Sequence, residues 1–194
     1  MNAKPRRLLC LATSIVMLIG AAAALRAQDV PSRRGPFIGF GFGYGSAKLS
    51  CNLCQESRQG DVSGFAKMGF ALTEQFLLGL EVDAWYDKQD VSKLLGSFGL
   101  SFWMYPSRSS GFYIKAGGGL SKYSASKDDD HFKTSAVSGQ IGVGYDVAIS
   151  RSVAIGPYAN FIGTSSSEFH FNDTVVDGSA NSSLIQVGLS VTFH

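Results

Sequence analysis

Five charged residues, Lys67, Glu81, Asp83, Lys115 and Asp146, stand at alternating positions among small and aromatic neighbours rather than in polar loops. A charge held away from water is costly unless it is paired, so such residues either form ion pairs or carry protons or ions. Trp85, Trp103, Tyr113 and Tyr158 occupy the same set of alternating positions and would fill a narrow tube. A structural charge network is therefore the expectation, in preference to conduction. If residues 73–75 make a tight turn, Lys67 faces Glu81 across a hairpin.

Three other groups could do chemistry. Cys51-Asn52-Leu53-Cys54 is a Cys-x-x-Cys pair in a polar stretch. A zinc site needs more ligands than these two, and a redox dithiol needs a βαβ context that the sequence lacks. In an oxidising compartment the expected product is a structural Cys51–Cys54 disulfide. Asp128-Asp129-Asp130-His131 lacks the spacing of a calcium loop and reads as a solvated acidic tip. His131 and His170 each lie near serines and acids, the ingredients of nucleophilic catalysis. Serines are so common here that this co-occurrence carries little information. No catalytic residue, metal or cofactor is assigned.

The elements that must position these residues follow from one pattern. At the C-terminus Ile185, Val187, Leu189, Val191 and Phe193 alternate with Gln186, Gly188, Ser190, Thr192 and His194. Successive strand side chains point to opposite faces, so one face is bulky and apolar and the other small and polar. The same alternation recurs over residues 35–49, 62–72, 75–86, 94–105, 112–124, 135–149 and 153–163, giving eight strands in all. Short links at 73–75, 106–110 and 150–152 alternate with longer ones at 50–61, 87–93, 125–133 and 164–182. Short turns at one end and long loops at the other are the habit of outer-membrane barrels.

The N-terminus carries a different signal. Lys4, Arg6 and Arg7 precede an apolar run over residues 8–24, followed by small residues at 24–27. This reads as a secretory signal peptide over residues 1–27, leaving a single domain over 28–194. The 194-residue chain has 16% charged residues, 23 glycines and a net charge of +2. So little charge is unusual for a soluble domain, and near-neutrality argues against nucleic acid as a partner.

A soluble barrel would need charges on its outer face, yet the less apolar face here is mostly Gly and Ser. Small residues suit the cramped interior of an eight-stranded tube, which leaves the Phe-rich face for lipid. Phe70, Phe76, Phe102, Phe112, Tyr145 and Phe193 lie near one predicted rim, and Tyr44, Tyr86, Tyr123 and Phe161 near the other. Two aromatic girdles are expected where strands cross the membrane interfaces.

In strand number, loop rhythm and the ending Val187-Gly188-Leu189-Ser190-Val191-Thr192-Phe193, the chain resembles the small bacterial outer-membrane β-barrels with an OmpA-like transmembrane domain. It departs from them in placing His194 after the terminal aromatic. The resemblance implies an all-β, eight-stranded, antiparallel up-and-down transmembrane barrel in the outer membrane. It also implies outer-membrane lipid and the barrel-assembly machinery as partners, the latter through the strand ending at Phe193. The expected role is non-enzymatic: structural, or the display of outside loops. The alternatives are a lipid A-modifying barrel enzyme built on a loop histidine and a soluble periplasmic lipid-binding barrel.

Overall fold

Each strand's alternation leaves a choice of which face turns inward, and in the computed structural model every long strand turns its bulky apolar face out. Phe42 is 69% exposed and Leu120 65%, whereas Trp85 and Trp103 are 1% exposed. The structure describes residues 32–51, 58–88, 92–127, 130–165, 167–171 and 174–194. Within these residues no helix is long and apolar enough to cross a membrane, which says nothing of strands.

Ten strand segments follow in order: β1 (Gly35–Cys51), β2 (Gln59–Ala71), β3 (Phe76–Lys88), β4 (Ser92–Met104), β5 (Phe112–Lys127), β6 (Asp130–Tyr145), β7 (Val147–Ser150), β8 (Val153–Thr164), β9 (Ser167–Phe171) and β10 (Thr174–Phe193). They build eight staves. β7 continues β6 along β8, since Gly144 pairs with Tyr158 and Val147 with Ile155 in unbroken register. β9 likewise continues β8, pairing with both β6 and β10. All pairings are antiparallel, and β1 pairs with β10 from Ile38↔Phe193 to Cys51↔Ala180, which closes the barrel. Closure pairs every stave edge, as a lipid environment requires.

The inner face is built from glycines placed opposite bulky residues. A Cβ on Gly41 would fall 2.1 Å from the Phe65 ring, so only glycine lets that ring lie against β1. Glycines also face one another across the Gly43–Gly188, Gly69–Gly79 and Gly99–Gly119 pairs, keeping the interior wall thin there.

Three details depart from the sequence reading. The staves run farther outward than predicted: β5 and β6 pair as far as Lys127↔Asp130, and β9 and β10 occupy much of the last outside link. The run of bulky outward residues that marks each strand stops short of these ends, although pairing continues through them. Tyr123 does not join the outer girdle. It occupies an inward position of β5 and is 4% exposed inside the barrel. The strand predicted over residues 135–149 is interrupted at Asp146, whose backbone N–H donates to the Gly111 carbonyl at 2.9 Å. The predicted signal segment and the Cys51–Cys54 pairing lie outside the described residues.

Candidate functional site: the lumen

Alternation delivers the inward residues of all eight staves to one narrow space, where they sort into three layers. Toward the loop end, Trp85 packs with Leu49, Leu95, Tyr123, Ile162 and Leu184. Its indole Nε1 donates to the Gly45 carbonyl at 3.1 Å, satisfying its one polar atom. Toward the turn end, Phe37, Leu77, Trp103, Tyr105 and Tyr113 form a second apolar plug. Phe37 meets Trp103 edge to face, with centroids 5.5 Å apart.

Between the plugs lies a polar layer. Lys115 Nζ donates to Glu81 Oε1 at 2.5 Å and, more weakly, to Gln140 Oε1 at 3.4 Å. Gln140 Nε2 donates in turn to Ser101 Oγ at 2.5 Å. Lys115 and Glu81 are both buried, so each needs the other to offset the loss of hydration. The register does set Lys67 opposite Glu81. The ion pair of Glu81 is nevertheless made with Lys115, two staves away. Lys67 Nζ lies among aromatic faces instead, 5.4 Å from the Tyr113 centroid and 5.5 Å from that of Trp103. These distances suit cation–π attraction in a desolvated setting. Asp83 is buried in the same layer, and neither of its carboxylate oxygens meets a protein donor among the described residues.

Asp146 belongs to a separate assembly at the turn end. Its Oδ2 accepts a 2.7 Å hydrogen bond from the Tyr105 hydroxyl. The Arg33 guanidinium lies 3.7 Å over the Tyr105 ring, and its Nη2 donates to the Ser110 carbonyl at 2.7 Å. Burial lowers the Arg33 pKa, while burial and the neighbouring Asp146 push the Tyr105 phenol well above its usual value. His194 closes the same end. Phe193 faces outward, so the next residue faces in, and the His194 ring sits 6.3 Å from that of Phe37. Burial pushes its pKa down to about 4, which keeps the imidazole neutral near pH 7.

Of the five inward charges in the sequence reading, Glu81 and Lys115 pair directly, Lys67 and Asp83 share their layer, and Asp146 bonds Tyr105 toward the turn end. Arg33, Tyr105 and His194 were not singled out as a group. Their only signal was position: one precedes the first strand, one follows the fourth and one ends the chain. Among the described residues no group of three or more His, Cys, Asp and Glu could hold a metal ion. Backbone pairing brings the β6 segment containing His131 alongside the β9 segment containing His170 through Phe132↔Phe171 and Lys133↔His170. The side chains of both histidines lie outside the described set.

No protein-family model and no characterised protein matches the chain by sequence. Solved structures match its fold. Neisserial surface protein A superposes over 82% of this chain and 96% of its own, with a TM-score of 0.58 at 13% identity. OprG, an outer membrane protein of Pseudomonas aeruginosa, covers 84% of this chain and 98% of its own with a TM-score of 0.49 at 10% identity. Ail, the attachment invasion locus protein of Yersinia pestis, covers 81% and 99% with a TM-score of 0.46 at 12% identity. The chain has the eight-stranded, all-antiparallel barrel fold of small outer-membrane proteins.

Proposed function

We propose that this chain is an exported outer-membrane barrel with a closed lumen and no catalytic role, acting as a structural element or through its loop-bearing end. The observation that carries the proposal is the stacking of two aromatic plugs, around Trp85 and around Trp103, above and below a polar layer. A tube filled in this way supports a rigid wall and leaves no open aqueous path. The outward belt, including Phe40, Phe42, Met68, Phe98, Leu100 and Leu189, supports insertion in lipid. A continuous apolar surface of this kind is foreign to soluble monomers, which argues against the periplasmic lipid-binding alternative. Outward Phe193 supports recognition by the barrel-assembly machinery, with His194 turned inward and out of its way.

Two measurements test the proposal. Membrane fractionation with boiled and unboiled gel samples is expected to give a heat-modifiable band in the outer membrane. Planar-bilayer recording of the folded protein is expected to give no steady open-pore current. A soluble periplasmic band refutes insertion, and a stable single-channel current refutes the closed lumen.

A further inference from the structure

The outward face changes character within one step along six of the eight staves at the loop end. The last apolar outward positions are Tyr44, Val62, Tyr86, Leu94, Leu120, Val137, Phe161 and Ile185, all exposed. One outward position farther on stand Ser46, Gly60, Lys122, Ser135, Gly163 and Ser183, and beyond Ser46 and Gly60 come Lys48 and Arg58. This marks the upper edge of the lipid-facing belt. The Tyr44 hydroxyl lies there over Gly60, where a Cβ would fall 1.6 Å from it.

The charges at this edge are segregated by face. Asp87 is buried in the mouth of the lumen, whereas Lys48, Arg58 and Lys122 are exposed on the outside. No carboxylate occupies the outward face at this level among the described side chains, and neither Lys48 nor Lys122 forms an ion pair with a described residue. Arg58 is fixed in place by neutral oxygens: Nη1 donates to the Ser46 carbonyl at 2.8 Å and Nη2 to Ser183 Oγ at 3.0 Å. Its guanidinium thus spans the outer face of β1 from β2 to β10, with no carboxylate partner among the described side chains. Pairing of Lys48 with Ser183 and of Ala47 with Gln59 puts Lys48 on the same part of the wall. The opposite rim differs, since there Glu74 sits 2.5 Å from Arg34 and 3.9 Å from Arg108.

Resting on the outer-membrane reading above, we infer that Lys48, Arg58 and Lys122 form a headgroup-binding rim, with Arg58, Lys48 and Ser183 its principal seat, for phosphate-bearing lipid of the outer leaflet. A preorganised guanidinium beside a flexible ammonium and a hydroxyl matches a phosphate's charge and its several acceptor oxygens. The position, immediately above the apolar belt, is where a headgroup must lie when its acyl chains pack against Tyr44 and Ile185.

The full chain is folded into phosphatidylcholine vesicles with and without lipid A, and its urea midpoint is read from the heat-modifiable band. Wild type is expected to show a higher midpoint with lipid A. The variant K48Q/R58Q/K122Q is expected to match wild type in phosphatidylcholine and to lose the rise. A variant R108Q/R151Q at the other rim is expected to keep it. Dephosphorylated lipid A, or inorganic phosphate added to phosphatidylcholine vesicles, is expected to give no rise. Absence of the wild-type rise, its persistence in the triple variant, or its loss in R108Q/R151Q overturns the inference. A rise with dephosphorylated lipid overturns the phosphate chemistry, and a rise with free phosphate overturns the lipid as its source. Failure of wild type to fold into any vesicle would instead refute the membrane reading itself.

Discussion

Lys115 Nζ lies 2.5 Å from Glu81 Oε1, although the residue directly opposite Glu81 in the β2–β3 hairpin is Lys67. The barrel's curvature brings β5 within reach of β3 across the lumen, so the two side chains meet there. Glu81→Gln leaves Lys115 buried without its counter-charge, at an expected cost of about 3–5 kcal/mol. A paired replacement, Glu81→Leu with Lys115→Met, removes both charges and is expected to recover most of that loss. Urea midpoints of the folded, heat-modifiable band measure both. Equal losses in the single and double variants would show that the pair contributes through shape alone.

Gly41 lies beneath the Phe65 ring, and an added methyl would sit 2.1 Å from that ring. Gly41→Ala is expected to destabilise the barrel by about 1–3 kcal/mol through overpacking. Combining it with Phe65→Leu should return part of the loss, because the smaller side chain frees the space. Additive losses in the double variant count against the contact.

His194 has a folded pKa of about 4 against an ordinary value of 6.5. The unfolded chain therefore binds more protons between those values. Stability is complete above about pH 7 and falls as the pH drops from 6.5 toward 4, by roughly 3 kcal/mol at the lower end. His194→Phe should remove that component, narrowing the difference between midpoints measured at pH 7.5 and pH 4.5. An unchanged difference would place the acid sensitivity in other groups.

Tyr105 donates to Asp146 at 2.7 Å beneath the Arg33 guanidinium. Tyr105→Phe keeps the ring under Arg33 but strands the Asp146 acceptor, which is expected to cost about 1–3 kcal/mol. Arg33→Ala removes the stacked cation while leaving the hydrogen bond, and is expected to cost less, about 0.5–2 kcal/mol. A larger loss for Arg33→Ala would mean that the guanidinium, rather than the phenol, holds this end closed.

Trp85 and Trp103 are each 1% exposed and anchor the two plugs. Trp85→Ala with Trp103→Ala is expected to give a measurable planar-bilayer current, whereas wild type and either single variant, which keeps one plug, are expected to give none. Current from a single variant would show that the remaining plug does not seal the lumen by itself.

The strands and the division of each into two faces were legible because a strand's side-chain period is two: Phe40, Phe42 and Tyr44 fall on one face and Gly39, Gly41 and Gly43 on the other. The outer halves of the long hairpins were not legible, since the run of bulky outward residues stops at Tyr44, Leu120 and Ile185 while strand pairing continues beyond them. Tyr123 is a different case. Its nearness to the rim suggested a girdle, whereas its phase, shared with Tyr113, Lys115 and Ser121, already placed it on the inward face.

Taken alone, the sequence determined which residues share a face of each strand, because that follows from alternation, whereas the burial of the glycine-rich face and the closing β1–β10 pairing belong to the tertiary structure. Partner choice inside the lumen was decided only by the tertiary structure. Glu81 chose Lys115 over Lys67, Asp146 left the central charges for Tyr105, and His194 turned in against Phe37. Contacts across a barrel depend on its radius and on the stagger of its staves, and these arise from all eight at once rather than from any one stretch of chain.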